Sequence, residues 1–171
     1  MPFNPSDYEN IRLDRYKTYL ESCNFGTKYI EATVENSINN LKKGKSKSFV
    51  IYGEPQSGKT SMMIALTAKL LDEGYKLIIM LVQDNLFLES QNLDRFEKST
   101  LNPSPKKFIE ILPKDVNVKD RELVIFCKKN SFNLLKLLKK VENIKNKVII
   151  DDEADYASPN SKVNKVEDEG E

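Results

Sequence analysis

The sequence predicts an α/β protein whose parallel sheet is covered by helices on both faces and preceded by an N-terminal helical pair. Short, continuous apolar runs alternate with helical patterns along most of the chain, and such runs are typical of strands buried on both faces. Hydrophobic residues make up 39% of the 171 residues, which is enough for a core. Charged residues make up 31% and indicate a heavily solvated surface.

The N-terminal helical pair is expected over residues 7–21 and 28–42. Ser6 and Glu9 have the spacing of a capping box just before the first helix. Thr27 stands where a residue would cap the second helix. Apolar positions recur along one side of each segment, so both helices are expected to pack against a neighbour.

The alternating pattern then predicts four buried strands with helices between them. Each strand is an apolar run that ends at a glycine or at a polar or charged residue. The strands are expected over residues 48–52, 77–82, 122–127 and 147–150. The helices are expected over residues 59–72, 86–98, 107–112 and 132–141, with Ser131 as the cap of the last one.

Composition excludes several classes of protein. The chain has no histidine, which removes histidine general bases, Ser-His-Asp triads and zinc motifs that contain histidine. Cys23 and Cys127 lie far apart and are expected to be free thiols in a reducing compartment. No apolar stretch reaches the roughly 18 residues of a membrane span, so we expect a cytoplasmic protein without membrane association.

Charge is unevenly distributed although the net charge is only +1. Residues 101–150 carry 12 basic and 5 acidic side chains, whereas residues 151–171 carry 2 basic and 8 acidic ones. The basic stretch could follow nucleic-acid phosphates, but its lysines are more simply explained as the outer face of an amphipathic helix. We assign residues 1–44 to the helical segment, 45–157 to the core and 158–171 to a polar acidic tail.

A phosphate-binding loop follows the first predicted strand. The sequence matches the pattern G-x-x-x-x-G-K-[ST] in full, between an apolar run and a helix. Its residues, with the next one along the helix, are the expected nucleotide-binding set: Gly53, Glu54, Pro55, Gln56, Ser57, Gly58, Lys59, Thr60 and Ser61. This motif predicts a P-loop NTPase with a RecA-like, three-layer fold.

The residue types of the loop suit a bound triphosphate. Its two glycines permit backbone angles and close approaches that a Cβ atom would block, so that successive N–H groups can surround an anion. The helix that follows adds unpaired N–H groups and the positive end of its dipole. Lys59 would reach the β- and γ-phosphates, and the Thr60 hydroxyl would bind Mg²⁺.

The fourth predicted strand ends in carboxylates, which supply the second half of the expected site. Parallel strands deliver such residues to the sheet edge where ligands bind in open α/β folds. Asp152 is expected to hold Mg²⁺, and Glu153 to orient and deprotonate the attacking water, with Lys59 and Glu153 as the catalytic residues. Asp151 and Asp155 are expected to orient these residues without contacting the metal ion themselves.

These stretches resemble two related groups of proteins. Asp152-Glu153-Ala154-Asp155 spells the DEAD box, so the chain resembles the first motor lobe of superfamily-two helicases and translocases. It is also similar to the Z-one domain, a P-loop ATPase module of bacterial and phage proteins linked to DNA restriction and defence. The similarity rests on residues 56–63 with 71–79, 88–95, 128–130 and 150–158.

The resemblance implies ATP and Mg²⁺ as ligands and DNA as a partner. Gln91 and Arg95, four residues apart on one helix, fall where helicase-like lobes touch the nucleic-acid backbone, although a solvated helix face explains them equally well. In such lobes a further strand follows the acidic motif and lies between the two nucleotide-binding strands. A second lobe carries an arginine finger, so we expect a second lobe or a partner subunit to complete the site.

Two functions from different classes remain open at this level. The first is a motor lobe that hydrolyses ATP within a restriction or defence system. The second is a module that binds nucleotide, or only keeps the loop, and serves in assembly without catalysis. A small kinase or GTPase-like switch is a weaker third option, because neither a base-reading motif nor a lid is found in the sequence.

Overall fold

The computed structural model describes residues 14–53, 57–111 and 121–154. Their elements, in chain order, are α1 (Arg15–Ser22), α2 (Lys28–Lys43), α3 (Lys59–Asp72), β1 (Leu77–Val82), α4 (Leu86–Lys98), β2 (Lys106–Lys107), a 3-10 helix (Phe108–Glu110), β3 (Leu123–Lys128), α5 (Ser131–Val141) and β4 (Lys147–Asp151). The chain divides into two units, and each is described by itself. The first comprises Met1–Lys76 with Asp94–Ser104, and the second comprises Leu77–Leu93 with Pro105–Glu171.

The second unit contains a four-stranded sheet in the order β2-β3-β1-β4. Every pairing is parallel, and β1 lies between β3 and β4, with Ile79 opposite both Ile125 and Ile149. The predicted α/β class with a parallel sheet is therefore confirmed. The three longer strands lie where the apolar runs at residues 77–82, 122–127 and 147–150 predicted them.

A single apolar cluster joins α5 to one face of this sheet. It includes Ile79 and Ile125 from the strands, Phe108 from the 3-10 helix, and Leu137 and Val141 from α5. The alternate strand residues on the opposite face, such as Ile78 and Met80, are buried as well. Burial on both faces explains why β1 and β3 read as continuous apolar runs without alternation. The prediction that the fourth strand is buried is wrong, because β4 is only partly covered and Ile149 is 54% exposed.

The first unit is built on α3, against which α1 and α2 pack. Most of α3 is buried, including Leu70, Ala65 and Ala68 with no exposed surface. Its last residue, Asp72, fixes α1, because the Asp72 carboxylate accepts hydrogen bonds from the Tyr16 backbone N–H at 3.0 Å and the Arg15 backbone N–H at 3.3 Å.

Two predicted helix starts are wrong, and the capping side chains explain why. The α1 helix begins at Arg15 because the Asp14 side chain accepts from the Lys17 N–H at 3.0 Å; the predicted capping box at Ser6 lies outside the described residues. In the same way, Asn130 rather than Ser131 caps α5, accepting from the Asn133 N–H at 2.9 Å. In both helices, the residue immediately before the first turn caps it by accepting from the N–H of the third helical residue.

The strand predicted at residues 48–52 is also wrong. This segment forms no strand, and Val50 and Tyr52 are 87% and 88% exposed. A strand needs a neighbouring strand to take up its backbone hydrogen bonds, and none of the four strands in the described sheet pairs with this segment. The predicted helix at 107–112 is likewise shorter, a 3-10 turn preceded by β2.

Candidate functional site

The phosphate loop of the first unit has the backbone shape that its two glycines permit. Gly58 precedes α3 with φ +83° and ψ +23°, in the left-handed region that favours glycine. A Cβ atom on Gly53 would lie 3.0 Å from Ser57 Oγ, so the two ends of the loop come close together. Glu54, Pro55 and Gln56 lie outside the described residues.

The start of α3 presents the groups expected to bind phosphate. Lys59 is exposed in the first turn, where the leading N–H groups of a helix have no partner within the helix. Ser61 is turned towards α1 instead: burial raises the pKa of Tyr19, and a hydrogen bond with Ser61 opposes that rise. Of the predicted set, Lys59 and Thr60 therefore stand at the helix start, whereas the side chain of Ser61 is engaged elsewhere.

Thr60, the predicted magnesium ligand of the loop, has a cationic neighbour. The Arg95 guanidinium donates a hydrogen bond to Thr60 Oγ over 3.0 Å. Arg95 was predicted as a nucleic-acid contact, and the structure instead places its side chain at the phosphate loop. Gln91, the other predicted contact, is exposed on α4.

The acidic turn of the second unit comprises Asp151, Asp152 and Glu153 at the end of β4. Its backbone continues the sheet for one more residue, because the Asp152 N–H donates to the Leu81 carbonyl at 3.0 Å. Glu153 then adopts φ +54°, which is uncommon for a residue with a side chain. Asp155, which was predicted to support the site, lies outside the described residues.

Amide side chains from neighbouring elements meet the two carboxylates to which chemistry was assigned. Gln83, directly after β1, donates to the Glu153 carboxylate. Asn92, on α4, donates to Asp152 Oδ2 over 3.5 Å, a long contact. Asp152 is partly buried, whereas Glu153 is exposed. Neither amide was predicted from the sequence, although Gln83 directly follows a buried strand at the edge where a parallel sheet collects polar residues.

The ammonium group of Lys129 makes three contacts with the acidic turn. Lys129 was not predicted as a site residue either. Its ammonium lies 2.9 Å from Asp151 Oδ1 and donates to the carbonyls of Asp152 and Glu153 at 2.7 and 2.8 Å. Only 4% of the side chain is exposed. The position of Lys129 immediately after β3 was the available signal, since β3 ends at the same edge as β4.

A buried carboxylate forms a second ionic cluster in this unit. Glu89 is 4% exposed, and the ammonium groups of Lys107 and Lys128 each lie 3.9 Å from its Oε2. Lys128 also pairs with Asp84 at 3.4 Å. Burial raises the pKa of Cys127 to about 12, and the nearby negative charge of Glu89 makes a smaller contribution in the same direction. Cys127 and Cys23 are both free, as predicted.

Metal binding by protein side chains alone is not indicated within the described ranges. No group of three or more aspartate, glutamate or cysteine side chains there is arranged to hold an ion. A magnesium ion that accompanies a nucleotide needs only one or two protein oxygens, because phosphates and water supply the others. In the same part of the chain, no helix is long and apolar enough to cross a membrane.

A glycine loop that opens a helix, together with carboxylates that follow a parallel strand, defines a P-loop protein. The family model described as the type III restriction enzyme res subunit matches residues 26–169. The chain belongs to this family and is thus an ATP-binding, helicase-like module of restriction systems. A search of curated proteins and a search of solved structures gave no match. The similarity to the Z-one domain and the DEAD box stays a prediction.

Proposed function

We propose that this chain binds ATP together with Mg²⁺ and hydrolyses it, as the first motor lobe of a DNA restriction system. The observation that carries the proposal is the loop at the start of α3, where Gly58 takes the left-handed conformation and Lys59 is exposed. This arrangement suits a polyphosphate, because helix N–H groups and a lysine charge face an anion together.

Each residue has a distinct role in the proposed reaction. Lys59 stabilises charge on the phosphates, while the hydroxyl of Thr60 and the carboxylate of Asp152 hold the magnesium ion. Both are hard oxygen donors, as Mg²⁺ requires, and the ion would neutralise charge on the transferred phosphoryl group. Glu153 orients the attacking water and accepts its proton, with Gln83 holding the carboxylate.

DNA and a second lobe, or a partner subunit, are the proposed partners. Gln91 is exposed on α4, so we retain it as a contact for the DNA backbone. Arg95 contacts Thr60, which favours a role at the loop over one on DNA. The arginine finger would come from the second lobe.

Hydrolysis is tested with the purified chain, ATP and Mg²⁺, with and without single- and double-stranded DNA. Glu153→Gln is expected to keep nucleotide binding and to lose turnover, because an amide cannot accept the proton. Glu142→Gln, at an exposed carboxylate after α5, is the matched control and is expected to behave as wild type. Equal turnover in Glu153→Gln and wild type would rule out the assigned base.

Binding is tested separately by calorimetry. Lys59→Ala is expected to abolish detectable ATP affinity, since it removes the cation that meets the β- and γ-phosphates. Lys43→Ala removes an exposed lysine at the end of α2 and is expected to leave affinity unchanged. Unchanged affinity in Lys59→Ala would exclude the loop as the nucleotide site.

A non-catalytic module is the second candidate, and one observation favours it. The segment before the loop is exposed at Val50 and Tyr52 rather than paired in the sheet, so the loop lacks the strand support that we predicted. In that case the chain binds ATP but shows no turnover, with or without DNA. Turnover that disappears in Glu153→Gln would eliminate this candidate.

A further inference from the structure

Lys129 makes two hydrogen bonds and one ion pair with the acidic turn. An ammonium group has three N–H donors, and three acceptors surround this one at 2.7–2.9 Å: the Asp152 carbonyl, the Glu153 carbonyl and the Asp151 carboxylate. Because only 4% of the side chain is exposed, water does not substitute for these contacts. Such a buried charge is maintained only where its partners are fixed.

The backbone of Lys129 is tied to the same edge of the sheet. Its N–H donates to the Val82 carbonyl at 2.8 Å, while the Asp152 N–H donates to the neighbouring Leu81 carbonyl at 3.0 Å. The ends of β3 and β4 are thus both fastened to the end of β1. From this anchored position the lysine side chain reaches across to the turn that bears Glu153.

The turn needs such support for two physical reasons. Glu153 has φ +54°, and a left-handed conformation is strained for a residue with a Cβ atom. In addition, Asp151, Asp152 and Glu153 place three negative charges at consecutive positions, which a nearby cation stabilises. The Lys129 ammonium bonds to the backbone of the strained turn and offsets the charge of Asp151.

We propose that Lys129 is a positioning residue for the hydrolytic centre. It holds the Asp151–Glu153 turn so that the carboxylates of Asp152 and Glu153 are presented to Mg²⁺ and to the attacking water. This inference rests on the proposed function, because Lys129 itself touches neither nucleotide nor water in the reaction. Its loss therefore affects turnover and leaves binding at the phosphate loop intact.

The fold offers a matched control at the opposite end of β4. Lys147 also donates to three acceptors, the carbonyls of Val141, Ile144 and Glu142 at 3.0, 2.8 and 3.3 Å. It lies at the start of the strand, whereas the acidic turn follows the strand's end. Lys129→Met and Lys147→Met each remove one ammonium with three contacts, but only the first contact set includes the acidic turn.

The test compares kcat, ATP affinity and backbone hydrogen exchange in the whole chain. Lys129→Met is expected to lower kcat by about 10- to 100-fold, the usual effect of removing a residue that orients a metal ligand, with ATP affinity unchanged. Exchange at the Asp152 amide is expected to accelerate. Lys147→Met is expected to lower thermal stability while keeping wild-type kcat and wild-type exchange at Asp152.

Each outcome decides the proposal. Wild-type kcat in folded Lys129→Met, or an equal loss in both variants, would overturn it. If the wild-type chain has no turnover, the hydrolytic function fails, and hydrogen exchange still decides whether Lys129 holds the turn. If Lys129→Met does not fold, Asp151→Asn removes only the negative charge that pairs with Lys129. It should lower kcat at unchanged ATP affinity, and wild-type kcat in this variant would overturn the proposal.

Discussion

Arg95 and Thr60 are joined by a hydrogen bond of 3.0 Å from the guanidinium to the threonine hydroxyl. The two residues are 35 positions apart in the chain, on α4 and at the start of α3. A guanidinium next to the proposed magnesium ligand disfavours a second cation there, while it attracts phosphate. Arg95 therefore places a positive charge beside the proposed metal ligand of the loop.

Arg95→Ala is expected to lower the Mg²⁺ concentration needed for half-maximal ATP binding. Two unit charges 4 Å apart in water interact by about 1 kcal/mol, so we expect a change of about fivefold or more. The measurement is ATP titration by calorimetry at several Mg²⁺ concentrations. Lys98→Ala removes a charge from the last turn of the same helix and is the control. A higher Mg²⁺ requirement in Arg95→Ala would instead show that Arg95 serves the phosphates directly.

Gly58→Ala is expected to destabilise the fold and also to weaken ATP binding. The position has φ +83°, and a Cβ atom there would meet no other atom within 4 Å, so the cost of about 1–2 kcal/mol is a backbone cost. Gly74, with φ +89° and equally open surroundings, is the matched control for stability. Gly74→Ala should lose comparable stability in urea but keep ATP affinity, and Gly26→Ala should be nearly neutral. Equal ATP affinity in all three variants would contradict the assignment of the loop at Gly58 as the nucleotide site.

The exposure of residues 48–52 is tested by paired aromatic truncations. Tyr52→Ala is expected to change the free energy of unfolding by no more than about 0.5 kcal/mol, because the side chain is 88% exposed. Phe126→Ala, at a position that is 1% exposed in β3, is expected to cost about 3–5 kcal/mol. Urea unfolding measures both. Similar large losses would mean that this segment is a buried strand in solution, as the sequence predicted.

Tyr16 makes stability depend on alkaline pH. Burial, followed by the charges of Glu31 and Glu35, raises the pKa of Tyr16 from 10.0 to about 12. The unfolded chain therefore loses the Tyr16 proton at a lower pH than the folded chain. The contribution of Tyr16 to the free energy of unfolding is complete below pH 10 and is lost as pH rises through about 12. Tyr16→Phe should reduce the fall in melting temperature across this range.

The same variant has a second expected effect at neutral pH. The Tyr16 hydroxyl is buried without a hydrogen-bond partner among the described residues, so its removal should leave stability unchanged or slightly higher. Tyr29→Phe, at a side chain that is 86% exposed, is the matched control. A clear loss of stability at pH 7 in Tyr16→Phe would show that the hydroxyl has a partner.

Local patterns were sufficient for helices with a clear period and for strands that are continuous apolar runs. The helices α3 and α4 have the predicted bounds, and the long strands β1, β3 and β4 lie within one residue of theirs. Helix periodicity and continuous apolar runs depend on the residue's own neighbours, so they can be read directly. Helix starts were predicted less well, because the capping side chains of Asp14 and Asn130 were not singled out in the sequence.

The sequence by itself determined the α/β class, the phosphate loop before α3 and the carboxylates at the end of β4. The tertiary structure alone decided that residues 48–52 form no strand, that Arg95 reaches Thr60, and that Lys129 contacts the acidic turn. The physical reason is that an apolar run or a charged residue indicates only the kind of partner that a segment can have, such as another apolar surface or an opposite charge. Which partner it meets depends on strand order and on side chains brought together from distant parts of the chain.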